Sequence, residues 1–501
     1  MPVQAERRTA VIDMGSNSFR LVVFSVGQHW WKRTDEIYDT VRLGEGLSDH
    51  DRLVPERAEQ ALEVMAVYAH FCEATGIRDV RPVATSAIRD AADGSRLVAR
   101  VRAATGLRPD VLSREREAWF GYLAAVNSTS LADGLVLDLG GGSMQLVSVA
   151  GRRRVEAGSW PLGTLRMTER FLPGKTSGKK PRAALRRHVR DELAAAGWVA
   201  GDRLVGLGGT VRNLAAAAQR RAGLPSLGVQ GFELQRTMLD ELVDELASRA
   251  PSKRAGVAGI KPGRSSIILA GAVALQGAMD VASAECIEVT EAGLREGVFF
   301  ESHLAAATGP PLLADVRAAS VRNLAAQYQE DLTHPEHVAR IAGALLDSLG
   351  EPDPAVRELL WAAAMLHDIG MAVDYDDHHK HSRYLVLAAG LPGWRPRELA
   401  LIAQAVRYHR KGNPELGDLA PLARPGDEEL LVRMAALLRL AEHLDRARDG
   451  VVEHAQLVAC GHGAMRLELR ARGNAALARW STERQGELFE RAFGCALAGV
   501  S

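Results

Sequence analysis

The chain has 501 residues, and its 62 Lys plus Arg are balanced by 62 Asp plus Glu. This length predicts about three domains, and the charge balance argues against a globally basic protein, so we expect no specific nucleic-acid partner. Four cysteines, no signal peptide and no apolar stretch of about 20 residues predict a cytoplasmic protein with no membrane partner and no disulfide scaffold.

Two segments of the chain share one strand–turn–strand pattern. Residues 10–26 (AVIDMGSNSFRLVVFSV) and 134–149 (GLVLDLGGGSMQLVSV) align without a gap at an offset of 125. The matched positions are Asp13 with Asp138, Gly15 with Gly140, Ser18 with Ser143, Leu21 with Leu146 and Val22 with Val147. Helical patterns follow each segment, at 56–74 and at 233–249. We therefore predict a duplicated unit and an α/β fold class.

Each repeated segment places an aspartate at a strand end and a glycine-rich turn after it. Backbone N–H groups and Ser or Asn side chains bind phosphate oxygens, and a strand-end carboxylate holds a divalent cation or orients water. The predicted metal ligands are Asp13 and Asp138. The predicted phosphate-binding residues of the two turns are Gly15, Ser16, Asn17, Ser18, Gly140, Gly141, Gly142 and Ser143. Gly208, Gly209 and Thr210, which follow the strand-like segment RLVGL, are predicted to bind phosphate with them. The alternative is a pair of ordinary hairpin turns.

Local charge is uneven in two parts of the chain. The basic stretch, residues 151–190, holds twelve Lys or Arg against two Glu, a net of +10. We interpret it as a track for a polyanion; the alternative is a solvated helix face with a loop. Residues 347–380 carry a net of −6 and include His367, Asp368 and further histidines. That composition favours a cation site.

The pattern changes near residues 305–315, where two prolines follow a glycine. Residues 316–450 read as amphipathic helices, and 451–501 as strand-like alternation followed by a helix. We predict domains at 1–130, 131–308, 309–450 and 451–501. The last segment is either a small α+β appendage or part of the helical domain.

The chain resembles the exopolyphosphatase and guanosine pentaphosphate phosphohydrolase family. The motifs that carry the resemblance are VIDMGSNSFRLVV, VATSAIRDA, SREREAWFGY, LDLGGGSMQLV, GLGGTVRNLAAA and EAGLREGVFFE, in the family's order over about the first 305 residues. The resemblance implies duplicated actin-like (ribonuclease H-like) lobes and a homodimer.

The same resemblance implies catalytic roles. The family's catalytic glutamate corresponds to Glu117, the expected base, and Arg20 and Arg89 are expected to stabilise the phosphoryl charge. One position departs from the family: a glutamate usually follows the second turn where this chain has Gln145. A neutral amide binds Mg²⁺ less well and cannot act as a base, so the metal geometry is in question.

Residues of the helical region resemble an HD-type phosphohydrolase domain. This resemblance implies an all-α HD-type domain with a ligand set of His337, His367, Asp368 and Glu442 and a second divalent metal. Glu442 stands where that motif usually has Asp. A structural or polyanion-binding role is the alternative.

The function expected from the resemblance is a Mg²⁺-dependent (or Mn²⁺-dependent) exopolyphosphatase that releases terminal orthophosphate from inorganic polyphosphate. The alternatives are a guanosine pentaphosphate (pppGpp) 5′-phosphohydrolase and a sensor that binds polyphosphate or a nucleotide with weakened catalysis. A sugar-kinase-type phosphotransferase is disfavoured by Glu117 and by the order of the motifs.

Overall fold

A computed structural model describes residues 7–174, 178–195, 203–305, 310–350, 353–460 and 463–500, except for the side chains of Ser48 and Asp49. These residues form two compact units, one ending at Val316 and the other beginning at Arg317. The predicted boundary at 308/309 lies outside the described residues, as does Lys175 of the basic stretch.

The first sheet belongs to the first unit and has five strands in the order β3-β2-β1-β4-β5. The strands are β1 (Arg7–Met14), β2 (Phe19–Val26), β3 (Trp31–Asp39), β4 (Asp79–Ala84) and β5 (Asp110–Val111). Strands β1, β2 and β3 are antiparallel neighbours, whereas β4 and β5 run parallel to β1. Strand β1 is buried along most of its length because side chains on both faces of the sheet lie in a core.

The second sheet repeats this arrangement and adds one strand, in the order β10-β11-β9-β6-β7-β8. Its strands are β6 (Gly134–Leu139), β7 (Met144–Ala150), β8 (Arg153–Trp160), β9 (Leu204–Leu207), β10 (Phe232–Gln235) and β11 (Cys286–Val289). The register repeats too: Asp13 pairs with Arg20 across the first hairpin, and Asp138 pairs with Gln145 across the second. The α/β class and the duplicated lobes are therefore confirmed.

Helices cover both sheets of the first unit. They are Leu47–His50, Pro55–Ala74, Ser86–Asp90, Gly94–Thr105, Arg114–Val126, Thr164–Phe171, Lys179–Ala194, Gly209–Arg221, Arg236–Ser248, Ile268–Ala282 and Leu294–His303, with 3₁₀ turns at Pro251–Gly256 and Pro262–Arg264. Each lobe has its own core, and a third core joins them beneath the hairpins. In that shared core the Phe24 and Phe299 rings stack with centroids 4.2 Å apart.

The second unit is mainly helical and ends in a small sheet. Its helices are Val316–Ala326 (which begins one residue before the boundary), Thr333–Asp347, Pro354–Leu366, His378–Ala389, Pro396–Tyr408, Asp427–Leu444, Ala476–Thr482 and Gly486–Phe493, with 3₁₀ turns at Ile369–Ala372, Gly417–Leu422 and Glu483–Gln485. The sheet comprises β12 (Val452–Ala459), β13 (Ala464–Ala471) and β14 (Ala496–Val500). Side chains of this sheet, such as Leu457 and Leu467, share one core with the helices, so the C-terminal segment is part of the helical unit.

The basic stretch is not the continuous cationic track that its charge count predicted. Several of its arginines are ion-paired within the first unit: Arg154 with Glu115, Arg166 with Asp90, Arg182 with Asp244 and Arg186 with Asp280. Arg152 instead donates to the Val126 and Leu313 carbonyls. The charge count therefore overstated the positive charge left for a ligand. No helix among the described residues is long and apolar enough to cross a bilayer.

Gly297 sets how closely two helices pack at the shared core. A Cβ at this position would overlap the Phe120 carbonyl of helix Arg114–Val126. We expect Gly297→Ala to lower the free energy of unfolding by about 1–3 kcal/mol, because overpacking displaces a buried backbone. Urea denaturation followed by circular dichroism measures this loss.

The matched control is Gly256→Ala in the same unit. A Cβ there meets only the end of the Arg249 side chain, at 3.6 Å. Equal denaturation midpoints for the two variants would contradict this account of the packing.

Candidate functional site

Two glycine-rich turns face each other at the centre of the first unit. Residues 15–18 join β1 to β2, and residues 140–143 join β6 to β7. A Cβ on Gly141 would lie 3.1 Å from the Asn17 backbone nitrogen, and one on Gly142 would lie 2.6 Å from the Ser16 hydroxyl. The turns therefore meet at backbone distance, and glycine is what allows the approach.

These turns form one wall of a cleft with a volume of about 110 Å³. Most residues predicted for phosphate, metal or catalysis line it: Asp13, Gly15, Ser16, Asn17, Ser18, Arg20, Glu117, Asp138, Gly140, Gly141, Ser143, Gly208 and Gly209. Three predicted residues do not: Arg89, Gly142 and Thr210. Gly142 lies behind the turn against Ser16 and Ser86, and Thr210 is fully buried beside Arg264.

Glu117 is held at the cleft by two hydrogen bonds. Its helix begins at Arg114 after Ser113, whose hydroxyl accepts from the Arg116 backbone nitrogen. Arg89 Nη1 donates to Glu117 Oε2 at 2.8 Å, and Ser143 Oγ donates to Oε1 at 3.0 Å. Burial raises the pKa of Glu117, whereas Arg89 and Ser143 lower it. The carboxylate is thus held in one orientation at the cleft, with a pKa above its ordinary value.

Arg89 contacts the glutamate and does not reach the cleft. Besides Glu117, its guanidinium donates to the Leu112 carbonyl and lies beside Asp90. The expected direct contact with the phosphoryl group does not fit this placement. Arg89 instead fixes the orientation of Glu117 and places a positive charge beside its carboxylate.

Gln145 sits behind Ser143 and is buried. Its amide nitrogen donates to Ser143 Oγ at 2.9 Å and to Ser159 Oγ at 3.1 Å. Because Ser143 accepts from Gln145, its own proton is directed to Glu117. The residue that departs from the family pattern therefore orients the predicted base through a hydroxyl.

Asp13 and Asp138 occupy equivalent strand ends on the two sheets and both face the cleft. Neither carboxylate has a hydrogen-bond or ion-pair partner within the described ranges. Burial raises the pKa of both, and the negative charge of Glu117 helps to bring that of Asp138 to about 7. Two unpaired, partly desolvated carboxylates are a donor set that suits Mg²⁺.

Sequence reasoning missed three arginines of this cleft: Arg212, Arg264 and Arg295. Burial and the nearby guanidinium groups of Arg295 and Arg20 lower the pKa of Arg212 to about 10. Arg295 is buried, and its Nε has no hydrogen-bond partner among the described residues. Arg212 follows Gly209 by three residues in GLGGTVRN, and Arg295 follows Gly293 by two in EAGLREG. Their position just after these glycines was the available signal.

The cleft has further hydrogen-bond donors that suit an anionic ligand. Both polar atoms of the buried Asn17 side chain lack partners in the described structure. The helices Gly209–Arg221 and Leu294–His303 begin at the cleft, and the residues Gly208 and Gly293 that precede them line it. Helix N-termini present unpaired N–H groups, so the cleft combines backbone, amide and guanidinium donors.

A second cluster of functional side chains lies within the helical unit. His334, His367, His378 and His409 surround Asp368, and Glu442 contacts His334 and His367 at 3.1 Å. His337, which the resemblance implied as a ligand, is outside this cluster because its Nε2 faces the Val452 carbonyl at 2.9 Å. His334, one helical turn earlier, lies in the cluster in place of His337. Its spacing of three residues from His337 was the only feature of the sequence that could have indicated this.

The chain matches two family models. The first, the Ppx/GppA phosphatase family, covers residues 22–306, and the second, domain III of the Ppx/GppA phosphatase, covers residues 316–479. The helical unit thus fits domain III of that family, while its HD-type character stays a prediction.

Solved structures agree with this match. An Aquifex aeolicus member of the Ppx/GppA family is 27% identical with a TM-score of 0.53, over 60% of this chain and 99% of that one. A further Aquifex aeolicus PPX-GPPA enzyme is 28% identical with a TM-score of 0.51, over 58% and 98%. An exopolyphosphatase from Cytophaga hutchinsonii is 21% identical with a TM-score of 0.55, over 59% and 97%, and supports the fold alone. This chain therefore belongs to the Ppx/GppA phosphatase family.

Proposed function

We propose that the cleft hydrolyses the terminal phosphoanhydride bond of inorganic polyphosphate and releases orthophosphate. The observation that carries the proposal is that Glu117 lines the same cleft as the two glycine-rich turns, with its carboxylate held by Arg89 and Ser143. The family match supports a phosphohydrolase, and the contents of the cleft favour this substrate.

The chain's own residues supply binding and proton transfer. Turn residues of the two hairpins bind the terminal phosphate, while Arg212 and Arg295 neutralise charge on its oxygens. Glu117 takes a proton from the attacking water as the new P–O bond forms at the terminal phosphorus. The bridging P–O bond breaks, and the shortened chain leaves with the bridging oxygen.

Asp13 and Asp138 would hold a Mg²⁺ or Mn²⁺ ion. When bound, the ion would neutralise phosphate oxygens and lower the electrostatic cost of bringing a polyanion to carboxylates. The unpaired state of both carboxylates within the described chain supports this assignment, and the amide of Gln145 is directed to Ser143 and Ser159 instead.

The lining of the cleft favours a chain of phosphates over a nucleoside. Among the described lining residues, the only large apolar side chains are Leu139 and Leu294, and none is aromatic. A guanine base would find no ring on which to stack. We therefore favour polyphosphate over pppGpp as the substrate. We also favour a hydrolase acting on either substrate over a sensor without catalysis.

Phosphate release from long polyphosphate, short polyphosphate and pppGpp tests this order. We expect the highest kcat/KM on long polyphosphate, with loss of activity when Mg²⁺ is chelated. Faster release from pppGpp would favour the nucleotide phosphohydrolase. Binding of polyphosphate without release from any substrate would favour the sensor.

Replacement of the predicted base gives the sharpest test of the mechanism. We expect Glu117→Gln to reduce kcat by about 10²–10⁴-fold, because the amide has no basic oxygen to accept the proton. Stopped-flow or colorimetric phosphate assays measure the loss. The matched control is Glu115→Gln on the same helix, an exposed residue that pairs with Arg154. A Glu117→Gln enzyme as fast as the Glu115→Gln enzyme would refute the assignment.

Replacing one arginine of the cleft and one of the basic stretch shows which of the two binds polyphosphate. We expect Arg212→Gln to raise the KM for polyphosphate about 10–100-fold, because a charge-assisted contact to a phosphate oxygen is lost. Arg187→Gln, an exposed residue of the basic stretch, should leave KM nearly unchanged. A larger effect of Arg187→Gln would restore the basic stretch as the principal polyanion site.

A further inference from the structure

A second polar pocket of the first unit lies between helix Arg114–Val126 and strand β8. Its volume is about 410 Å³, and Arg114, Arg154 and Ser159 are among the residues that line it. Among the described residues, it shares no lining residue with the cleft. Two arginines and one glutamate, Glu115, give the lining a net charge of +1. The pocket therefore suits an anion that the cleft does not account for.

The Arg114 guanidinium brings a positive charge that the protein leaves largely uncompensated. Its one ion pair in the described structure is with Asp90, at 4.0 Å, and its guanidinium makes no hydrogen bond there. Asp90 already pairs with Arg166 at 3.0 Å and with Arg89 at 3.4 Å. Three guanidinium groups thus share one carboxylate, and positive charge is left over at this end of the pocket. The Arg114 side chain is 58% exposed, so it can turn to a ligand without losing a hydrogen bond.

Arg154 supplies the second guanidinium group of the pocket. It lies over the Trp119 ring, 5.5 Å from the ring centroid, and its Nη2 donates to Glu115 at 3.2 Å. The Glu115 side chain is 74% exposed, so water screens this ion pair. The ring of Trp119 restricts the guanidinium, which keeps further N–H groups for a ligand.

Ser159 adds a hydroxyl donor to the same pocket. Its Oγ accepts from Gln145 Nε2 at 3.1 Å, and this is the hydroxyl's only hydrogen bond within the described ranges. Because an amide N–H cannot accept, the Ser159 hydrogen needs an acceptor on the side of the pocket. Strand β8 is also an edge strand of its sheet, so alternate backbone N–H groups beside Ser159 have no partner strand among those described.

We infer that this pocket binds a phosphate group, either free orthophosphate or one phosphate of a polyphosphate chain. A tetrahedral oxyanion has enough oxygens to accept from both guanidinium groups and from Ser159 at once, and guanidinium forks match pairs of phosphate oxygens. The bound phosphate takes the hydrogen of Ser159. A series of side chains, Ser159, Gln145 and Ser143, then connects this second site to Glu117 through hydrogen bonds.

Binding of orthophosphate and of long polyphosphate to the full-length chain tests the inference. Each ligand is titrated in metal-free buffer by isothermal titration calorimetry. Arg114→Gln/Ser159→Ala should weaken binding at the pocket by about 10–100-fold, because a charge-assisted contact and a hydroxyl donor are lost. The matched control is Arg153→Gln, an exposed neighbour of Arg154 on β8 that points to the opposite face of the strand and should bind normally.

The two ligands separate the two sources of the phosphate group. Weaker binding of orthophosphate by the double variant assigns the pocket to free phosphate, and a loss confined to long polyphosphate assigns it to a phosphate within a chain. Equal affinities of the double variant and Arg153→Gln for both ligands would overturn the inference. Failure of the proposed function gives a different result, an Arg212→Gln variant that binds both ligands as tightly as the unaltered chain.

Chemical protection of the unaltered protein covers variants that fail to fold. Phenylglyoxal modifies accessible arginines, and mass spectrometry of the digested chain reports the rate at each position. Orthophosphate or polyphosphate should slow the modification of Arg114 and Arg154 and leave that of Arg153 unchanged. Equal rates at Arg114 and Arg154 with and without either ligand would show that no phosphate binds in this pocket.

Discussion

Backbone-to-backbone contact between the two hairpin turns is the constraint on which the first unit depends. A Cβ on Gly141 would lie 3.1 Å from the Asn17 backbone nitrogen, and one on Gly142 would overlap the hydroxyls of Ser16 and Ser86. Glycine at these two positions lets the turns approach this closely. That convergence brings Asp13 and Asp138 to one cleft, although 125 residues separate them in the chain. The shared core beneath, including the stacked rings of Phe24 and Phe299, supports the same approach.

Charge in the cleft is concentrated, and much of it lacks an internal partner. The Nε of Arg295 has no hydrogen-bond partner in the described structure, and burial raises the pKa of both Asp13 and Asp138. Desolvated charges of this kind are costly unless a ligand compensates them. By contrast, four arginines of the basic stretch are ion-paired to carboxylates of the first unit: Arg154, Arg166, Arg182 and Arg186. Buried charge without an internal partner therefore lies in the cleft, and the net charge along the sequence does not report it.

Local pattern was enough to predict the duplicated fold and most of the cleft. The repeat at Asp13 and Asp138 implied equivalent strand ends, and the register across both hairpins confirms the equivalence. The residues that the pattern missed are those whose side-chain direction is set by the tertiary fold. Arg212 and Arg295 lie in the motifs GLGGTVRN and EAGLREG, but only the folded chain shows that their side chains line the cleft. His334 and His337 share one helix, and only packing against Glu442 and Val452 distinguishes them.

The amide at Gln145 has a consequence for the orientation of a proton. Its NH₂ group donates twice, to Ser143 and to Ser159, so the Ser143 hydroxyl must send its hydrogen onward to Glu117. A carboxylate at this position would accept from Ser143 and compete for that hydrogen. The chain therefore contains a series of hydrogen bonds with one donor direction, from Gln145 through Ser143 to the carboxylate of Glu117. The Ser143 hydroxyl therefore cannot turn its hydrogen away from Glu117 without meeting the amide hydrogens of Gln145, so the carboxylate keeps a donor on this side.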